Sequence, residues 1–132
     1  MMSRNEFYWQ AANTVNFRNT ADAARPLLCR SDETRDGRVT LILRDTGHPS
    51  NGIQRHLTDR QALWFAYLIQ TRTNGIVTAD SGHRLAVSVY RHEIVLRFLD
   101  GYEGHIPLTY SEAGVLADWL IRMANKQYME VA

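Results

Sequence analysis

Two stretches of this chain each open on a threonine followed three residues later by Gln or Glu, and any fold has to be built around them. Thr58 with Gln61, and Thr109 with Glu112, have the spacing of a capping box. In that motif the threonine hydroxyl and the Gln or Glu side chain satisfy free backbone N–H groups at a helix start. Behind the first cap Ala62, Phe65, Ala66 and Ile69 fall on one helical face, and behind the second Ala113, Leu116, Ala117 and Leu120 do the same. Leu57 and Leu108 stand just before the caps, where a hydrophobic staple meets the first turn. Two amphipathic helices are therefore predicted, each needing an apolar layer to close over.

The likeness extends upstream. Val39-Thr40-Leu41-Ile42-Leu43-Arg44-Asp45 precedes the first cap and Ile94-Val95-Leu96-Arg97-Phe98-Leu99-Asp100 the second, each separated from it by a turn-rich loop. Residues 39–69 and 94–120 thus read as a weak internal repeat of strand, loop and helix.

Strand signals fill the second half. Leu85 to Tyr90 alternates, Arg91-His92 allows a tight reversal, and Glu93 to Leu99 returns. His105-Ile106-Pro107-Leu108 reads as a short further strand that Pro107 confines to an edge. Asn74-Gly75 stops the first helix ahead of the β-prone run Ile76-Val77-Thr78. In the first 38 residues, Thr20 to Ala24 resembles a capped helix start, with Pro26 awkwardly close. Phe7-Tyr8-Trp9 suits helix or strand. The expected architecture is an α+β fold, an antiparallel sheet packed against two capped helices plus an N-terminal element, with residues 1–132 forming a single domain.

Alternation sends Leu41, Leu43, Leu85, Val87, Val89, Ile94, Leu96 and Phe98 toward the helices. It leaves an outer face that includes Ile42, Arg44, Tyr90, Val95, Arg97 and Leu99, a mixture of aliphatic, aromatic and cationic side chains. Three arrangements account for such a face. The N-terminal segment, with Phe7, Tyr8, Trp9, Val15 and Phe17, folds across it. A protein partner or second copy docks there, as aromatic and arginine residues amid aliphatics suggest. Single-stranded nucleic acid lies on it, with bases on Tyr90 and phosphates on Arg44 and Arg97.

The order strand, strand, short strand, then Leu108-Thr109-x-x-Glu112-Ala113 and a helix, over residues 85–126, resembles the layout of transcriptional coactivators of the positive-cofactor-four type. That resemblance implies single-stranded DNA bound on the sheet by a dimer. The related Whirly proteins carry two such units in one chain. It covers about a third of the chain and carries over no individual binding residue.

Chemical machinery is not legible. The histidines at 48, 56, 83, 92 and 105 have no metal-ligand spacing, and neither Cys-x-x-Cys nor Gly-x-Ser-x-Gly occurs. Cys29, within Leu27-Leu28-Cys29, reads as buried, and as a lone cysteine it fits a reducing compartment, so a cytoplasmic address is expected. Asp45 and Asp100 sit at matching positions after their strands, where turn initiation explains both. Trp64 and Trp119 fall close to the helical apolar stripes and are expected to pack in or beside the core. The segment from Ala62 to Ile69, apolar over most of its circumference, calls for cover on more than one side, as in a central helix or a homodimer contact.

A net charge of +1 argues against bulk nucleic acid as the main partner. Fourteen of the fifteen basic residues are arginine, which either codon usage or a preference for planar recognition of carboxylate and phosphate explains. The sequence thus points first to a non-catalytic protein-binding module without cofactor or membrane segment, of the inhibitor or adaptor kind that phages and mobile elements encode. Its alternative is a single-stranded nucleic-acid binder acting through the sheet face.

Overall fold

The computed structural model describes residues 8–10, 13–32, 38–48, 52–79, 82–100 and 104–125. Five strands come first: β1 (Tyr8–Gln10), β2 (Thr14–Phe17), β3 (Leu27–Asp32), β4 (Arg38–Leu43) and β5 (Ile53–Leu57). Helix α1 (Asp59–Gln70) follows, then β6 (Gly75–Thr78), β7 (Arg84–Val89), β8 (Glu93–Phe98), β9 (Gly104–Thr109) and helix α2 (Tyr110–Ala124). All neighbouring strands are antiparallel and every strand pairs with its neighbour in sequence, giving one sheet ordered β1-β2-β3-β4-β5 and another ordered β6-β7-β8-β9. The fold is α+β with no closed barrel. The strands form two sheets rather than the single layer expected, and the repeat is longer than its legible part. Each unit is a four-strand meander ending in a capped helix, β2 to α1 and β6 to α2, with β1 added to the first.

The capping boxes form as their spacing dictates. Gln61 N–H donates to Thr58 Oγ1 at 3.2 Å and Thr58 N–H donates to Gln61 Oε1 at 2.9 Å. In the second helix the corresponding distances, Glu112 N–H to Thr109 Oγ1 and Thr109 N–H to Glu112 Oε1, are 3.1 and 2.9 Å. Leu57, Leu108 and the two alanine-bearing stripes are buried. The hairpin, the Ile76 to Thr78 strand and the edge position of Pro107 are as the alternation and turn residues predict.

The two units close over one core. The helices lie against each other, and each reaches both sheets: α1 packs on β4, β5, β6 and β7, and α2 on β2, β4, β8 and β9. Buried side chains of both units, from Val15 and Leu41 to Leu96 and Trp119, form one continuous apolar cluster. Neither unit buries its apolar face alone.

At one corner the sheets meet directly. A Cβ on Gly104 would overlap a methyl of Leu43, so any larger residue at the start of β9 would force that buried side chain to shift. Beside it the buried amide of Asn19 donates to the Arg25 and His105 carbonyls at 3.0 and 2.9 Å. Arg55, on the inward side of β5 and only 3% exposed, donates to the Leu99 carbonyl at 2.6 Å and the Asp100 carbonyl at 3.2 Å. Burial pushes its guanidinium pKa below the usual value, and the nearby Asp100 charge opposes that shift.

Two expectations for the N-terminal third change. Residues 20–24 are a turn, not a helix start: Asn19 Oδ1 accepts from the N–H groups of Ala21 and Asp22, and Asp22 Oδ1 from that of Ala24. Short polar side chains offer the backbone these local partners, and Pro26 cannot continue a helical ladder. Val15 and Phe17 do not cross an outer face; they alternate inward along β2 and are fully buried. Phe7 lies outside the described residues, while Tyr8 and Trp9 belong to β1, which pairs onto β2 within the sheet. Cys29 is buried as expected, and burial pushes its thiol pKa far up. Alkylation by iodoacetamide at pH 8 should therefore be negligible in the native protein and complete in urea; rapid native labelling would contradict the burial of β3.

Among the described residues, no helix is long and apolar enough to cross a membrane.

Candidate functional site

With the helices and core on one side of each sheet, the side chains of opposite pleat form two outward faces. Strand register arranges them in rows. The first sheet carries Asn16–Leu28–Ile42–Gln54 and Thr14–Arg30–Thr40–His56. The second carries Ile76–Ala86–Arg97–His105 and Ser88–Val95–Pro107. Because each unit has the same topology, Ile42 and Gln54 stand where Arg97 and His105 stand in the other.

These rows contain Arg30, Arg97, His56 and His105 and no carboxylate. The acidic strand residues, Asp32 and Glu93, are the last of β3 and the first of β8. Among the described residues, the other acids lie on the helices (Asp59, Glu112, Asp118) or in turns (Asp22, Asp45, Asp100). Asp45 Oδ2 lies 3.8 Å from Arg25, and its Oδ1 accepts from the N–H groups of Gly47 and His48 in the turn-forming role expected of it. Asp100 differs. At a φ of 66° it takes two hydrogen bonds of 2.9 Å from the Arg84 guanidinium and one of 3.0 Å from the Arg84 backbone N–H. The guanidinium bonds, ahead of backbone and charge effects, hold its carboxyl at a pKa of about 2. Among the described residues the charged members of these rows are thus cationic, while outside them charges of both signs lie at strand ends, in turns and on the helices.

Arg97 is held along the sheet. Its Nε donates to Ser88 Oγ at 3.3 Å and an Nη to Tyr90 Oη at 2.9 Å. Tyr90, 48% exposed, is fixed in turn because the Tyr110 hydroxyl donates to its carbonyl. Ile76 is 50% exposed at the other end of the Arg97 row. Beside the row, Arg97, Leu99, Gly104 and His105 help line a recess of about 150 Å³. On the first sheet, Thr40 Oγ1 and His56 Nδ1 are 2.9 Å apart, and Arg30 is exposed between them and Thr14.

The six residues read from sequence as one outer face are thus divided. Tyr90, Val95 and Arg97 do come together, on the second sheet, with Val95 buried and the other two accessible. Ile42 belongs to the first sheet. Arg44 lies just past the end of β4, exposed, its N–H donating to the Pro26 carbonyl. Leu99 lies just past β8 as part of the Arg55 tie. Alternation identifies the side a residue faces, not the sheet to which its strand belongs. Arg30, His56, Ile76 and His105 were not singled out for this face, although the strand expected to begin at His105 is present as β9.

The other departure is on α1. Trp119 is fully buried, but Trp64 is 49% exposed and stacks on Tyr67, with ring centroids 5.2 Å apart and planes 17° from parallel. Among the described residues, no cluster of His, Cys, Asp or Glu side chains could hold a metal ion. Comparison with known protein families, curated proteins and solved structures gives no match to this chain.

Proposed function

We propose that this protein is a non-catalytic single-stranded nucleic-acid-binding module that receives the strand on its outward sheet faces. The observation that carries the reading is the cationic make-up of one row on each sheet. The net charge of +1 argued against this function, yet the central rows of both faces hold arginine and histidine with no carboxylate among them. In the second sheet an exposed isoleucine ends the cationic row and the exposed Tyr90 ring lies against Arg97, an aromatic and a guanidinium of the kind on which bases stack and with which phosphates pair. The chain doubles a meander-plus-helix unit, and two such units are what the sequence resemblance implies.

The field is modest, so affinity should be modest and steeply dependent on salt. With Arg30, Arg44 and Arg97 as the phosphate contacts, the slope of log affinity against log salt for a single strand is about −2, at roughly 0.7 per contact. Fluorescence anisotropy of a labelled oligothymidylate of about 20 nucleotides, titrated at 20 and 200 mM salt, measures it. Arg30→Ala with Arg97→Ala should weaken binding at least tenfold and flatten the slope. Absence of binding at 20 mM salt, or equal binding by the double variant, would overturn the proposal and return protein binding to first place.

A further inference from the structure

We propose that the recess between the end of α1 and the start of α2 binds a small amphipathic anion, an apolar body of one or two rings carrying a carboxylate or phosphate group. The recess has a volume of about 340 Å³, at the lower end of the range for small-molecule pockets. Its floor is apolar, built from the buried Ile69, Ile94 and Ala113. Its rim is polar, with exposed Gln70 and Arg72 from the end of α1 and the half-buried Tyr110 from the start of α2. Among the described residues no carboxylate lines it; Asp118 lies a full turn beyond its last lining residue on α2, Gly114.

Two residues of the recess stand against local preference. Arg72 follows the C-cap of α1 at a φ of 50°, the left-handed position that glycine fills most easily. A cation suits that end of the helix dipole, but the dipole does not require the side chain to reach α2. The Arg72 guanidinium does so, resting over the Tyr110 ring at 3.9 Å from its centre. Tyr110 is itself held, since its hydroxyl donates to the Tyr90 carbonyl. Among the described residues the guanidinium has no hydrogen-bond or ion-pair partner, so its planar fork of donors is committed to nothing else. Gly114 is the reverse case. It lies inside α2 without a left-handed φ, where glycine weakens a helix relative to alanine. Nothing stands within 4 Å of a Cβ built on it, so packing does not require glycine either. The matching position of α1 is Leu63. What glycine does here is leave the recess open.

These features select the ligand. A cation would meet Arg72 with no lining carboxylate to offset the repulsion. A wholly apolar molecule would fit the floor but strip water from the guanidinium and replace none of its hydrogen bonds. An anion with an apolar body satisfies both, its body on Ile69, Ile94 and Ala113 and its charged group bidentate on Arg72. Because the guanidinium is already fixed on Tyr110, little ordering cost remains at binding. The recess lies on the helix side of the second sheet, opposite the outward rows, so the site stands independently of what those rows bind.

Titration of naphthoate into the isotope-labelled chain, followed by amide chemical shifts, tests this. A ligand of that size should bind with a dissociation constant on the order of 0.3 mM and shift the amides of Arg72, Ile94, Ala113 and Gly114 most. Naphthamide, its neutral counterpart, should bind at least about tenfold more weakly. Arg72→Gly should weaken naphthoate binding by a similar factor of about ten while leaving the urea midpoint unchanged or raised, because glycine suits that φ. Gly114→Leu, which places the residue of the matching α1 position in the opening, should weaken binding at least as much with native circular dichroism. No saturable shifts up to about 5 mM, equal affinity for naphthamide, or wild-type affinity in either variant would overturn the assignment.

Discussion

Trp119→Ala is expected to lower the free energy of unfolding by about 3–5 kcal/mol, as for other large aromatic truncations in cores. Trp119 is fully buried in α2, the helix that rests on strands of both sheets and on α1. Removing it opens a cavity where three layers meet, and the rigid backbones of two sheets limit collapse around the void. A domain of ordinary stability, about 5–15 kcal/mol, would lose roughly a fifth of its margin or more. The indole Nε1 is buried with no hydrogen-bond partner among the described residues. Trp119→Phe therefore keeps most of the apolar contact while removing an unpaired donor, and it should cost less than about 1.5 kcal/mol. Urea unfolding followed by circular dichroism measures both. A loss below 1 kcal/mol for the alanine variant would show that Trp119 is not central to the core.

Arg55→Met comes second, with an expected loss of about 2–4 kcal/mol. The substitution keeps an apolar stem on the inward side of β5, where the Arg55 guanidinium lies 5.8 Å from the centre of the Phe98 ring. It removes the donors to the Gln54, Leu99 and Asp100 carbonyls. Bonds from a charged donor contribute about 1.5–3 kcal/mol each, and the desolvation cost of the buried guanidinium offsets a large part of their sum. Arg55→Lys should recover little, since one ammonium cannot reproduce a planar fork aimed at two strand ends. Arg55 faces inward, away from the cationic rows. Its loss should therefore change stability but leave the salt slope of oligonucleotide binding near its wild-type value, a separation that Arg97→Ala should show in reverse.

How much of this was legible follows from the range of each determinant. The capped helices were readable because a capping box is complete within four residues, as at Thr58 to Gln61. The second meander was readable because its turns are short and Pro107 marks its edge. The first was obscured. Leu27-Leu28-Cys29 breaks alternation at the start of β3, with Leu28 half-buried on the outward side. Arg55 occupies an inward position in β5 whose satisfying carbonyl lies 44 residues away, so nothing local announces it. The division into two sheets depends on which strands pair, and β5 and β6 lie on either side of α1 with no register between them. For the candidate site, Tyr90, Val95 and Arg97 were found because one hairpin holds them. Arg30 and His105 were missed because each joins its row only through strand pairing. Trp64 and Trp119 had equal claims to the core by composition, but they occupy non-equivalent positions in the two helices. At the repeat offset Trp119 matches the buried Leu68, whereas Trp64 matches the partly buried Val115.

Native-state hydrogen exchange on Trp119→Ala asks whether two meanders that share one apolar core rise and fall as a single folded body. If they do, the slowest amides of β3 and β4 will lose the same protection free energy as those of β7 and β8, although Trp119 belongs to the second unit. Wild-type protection in the first sheet beside a weakened second sheet would contradict the account.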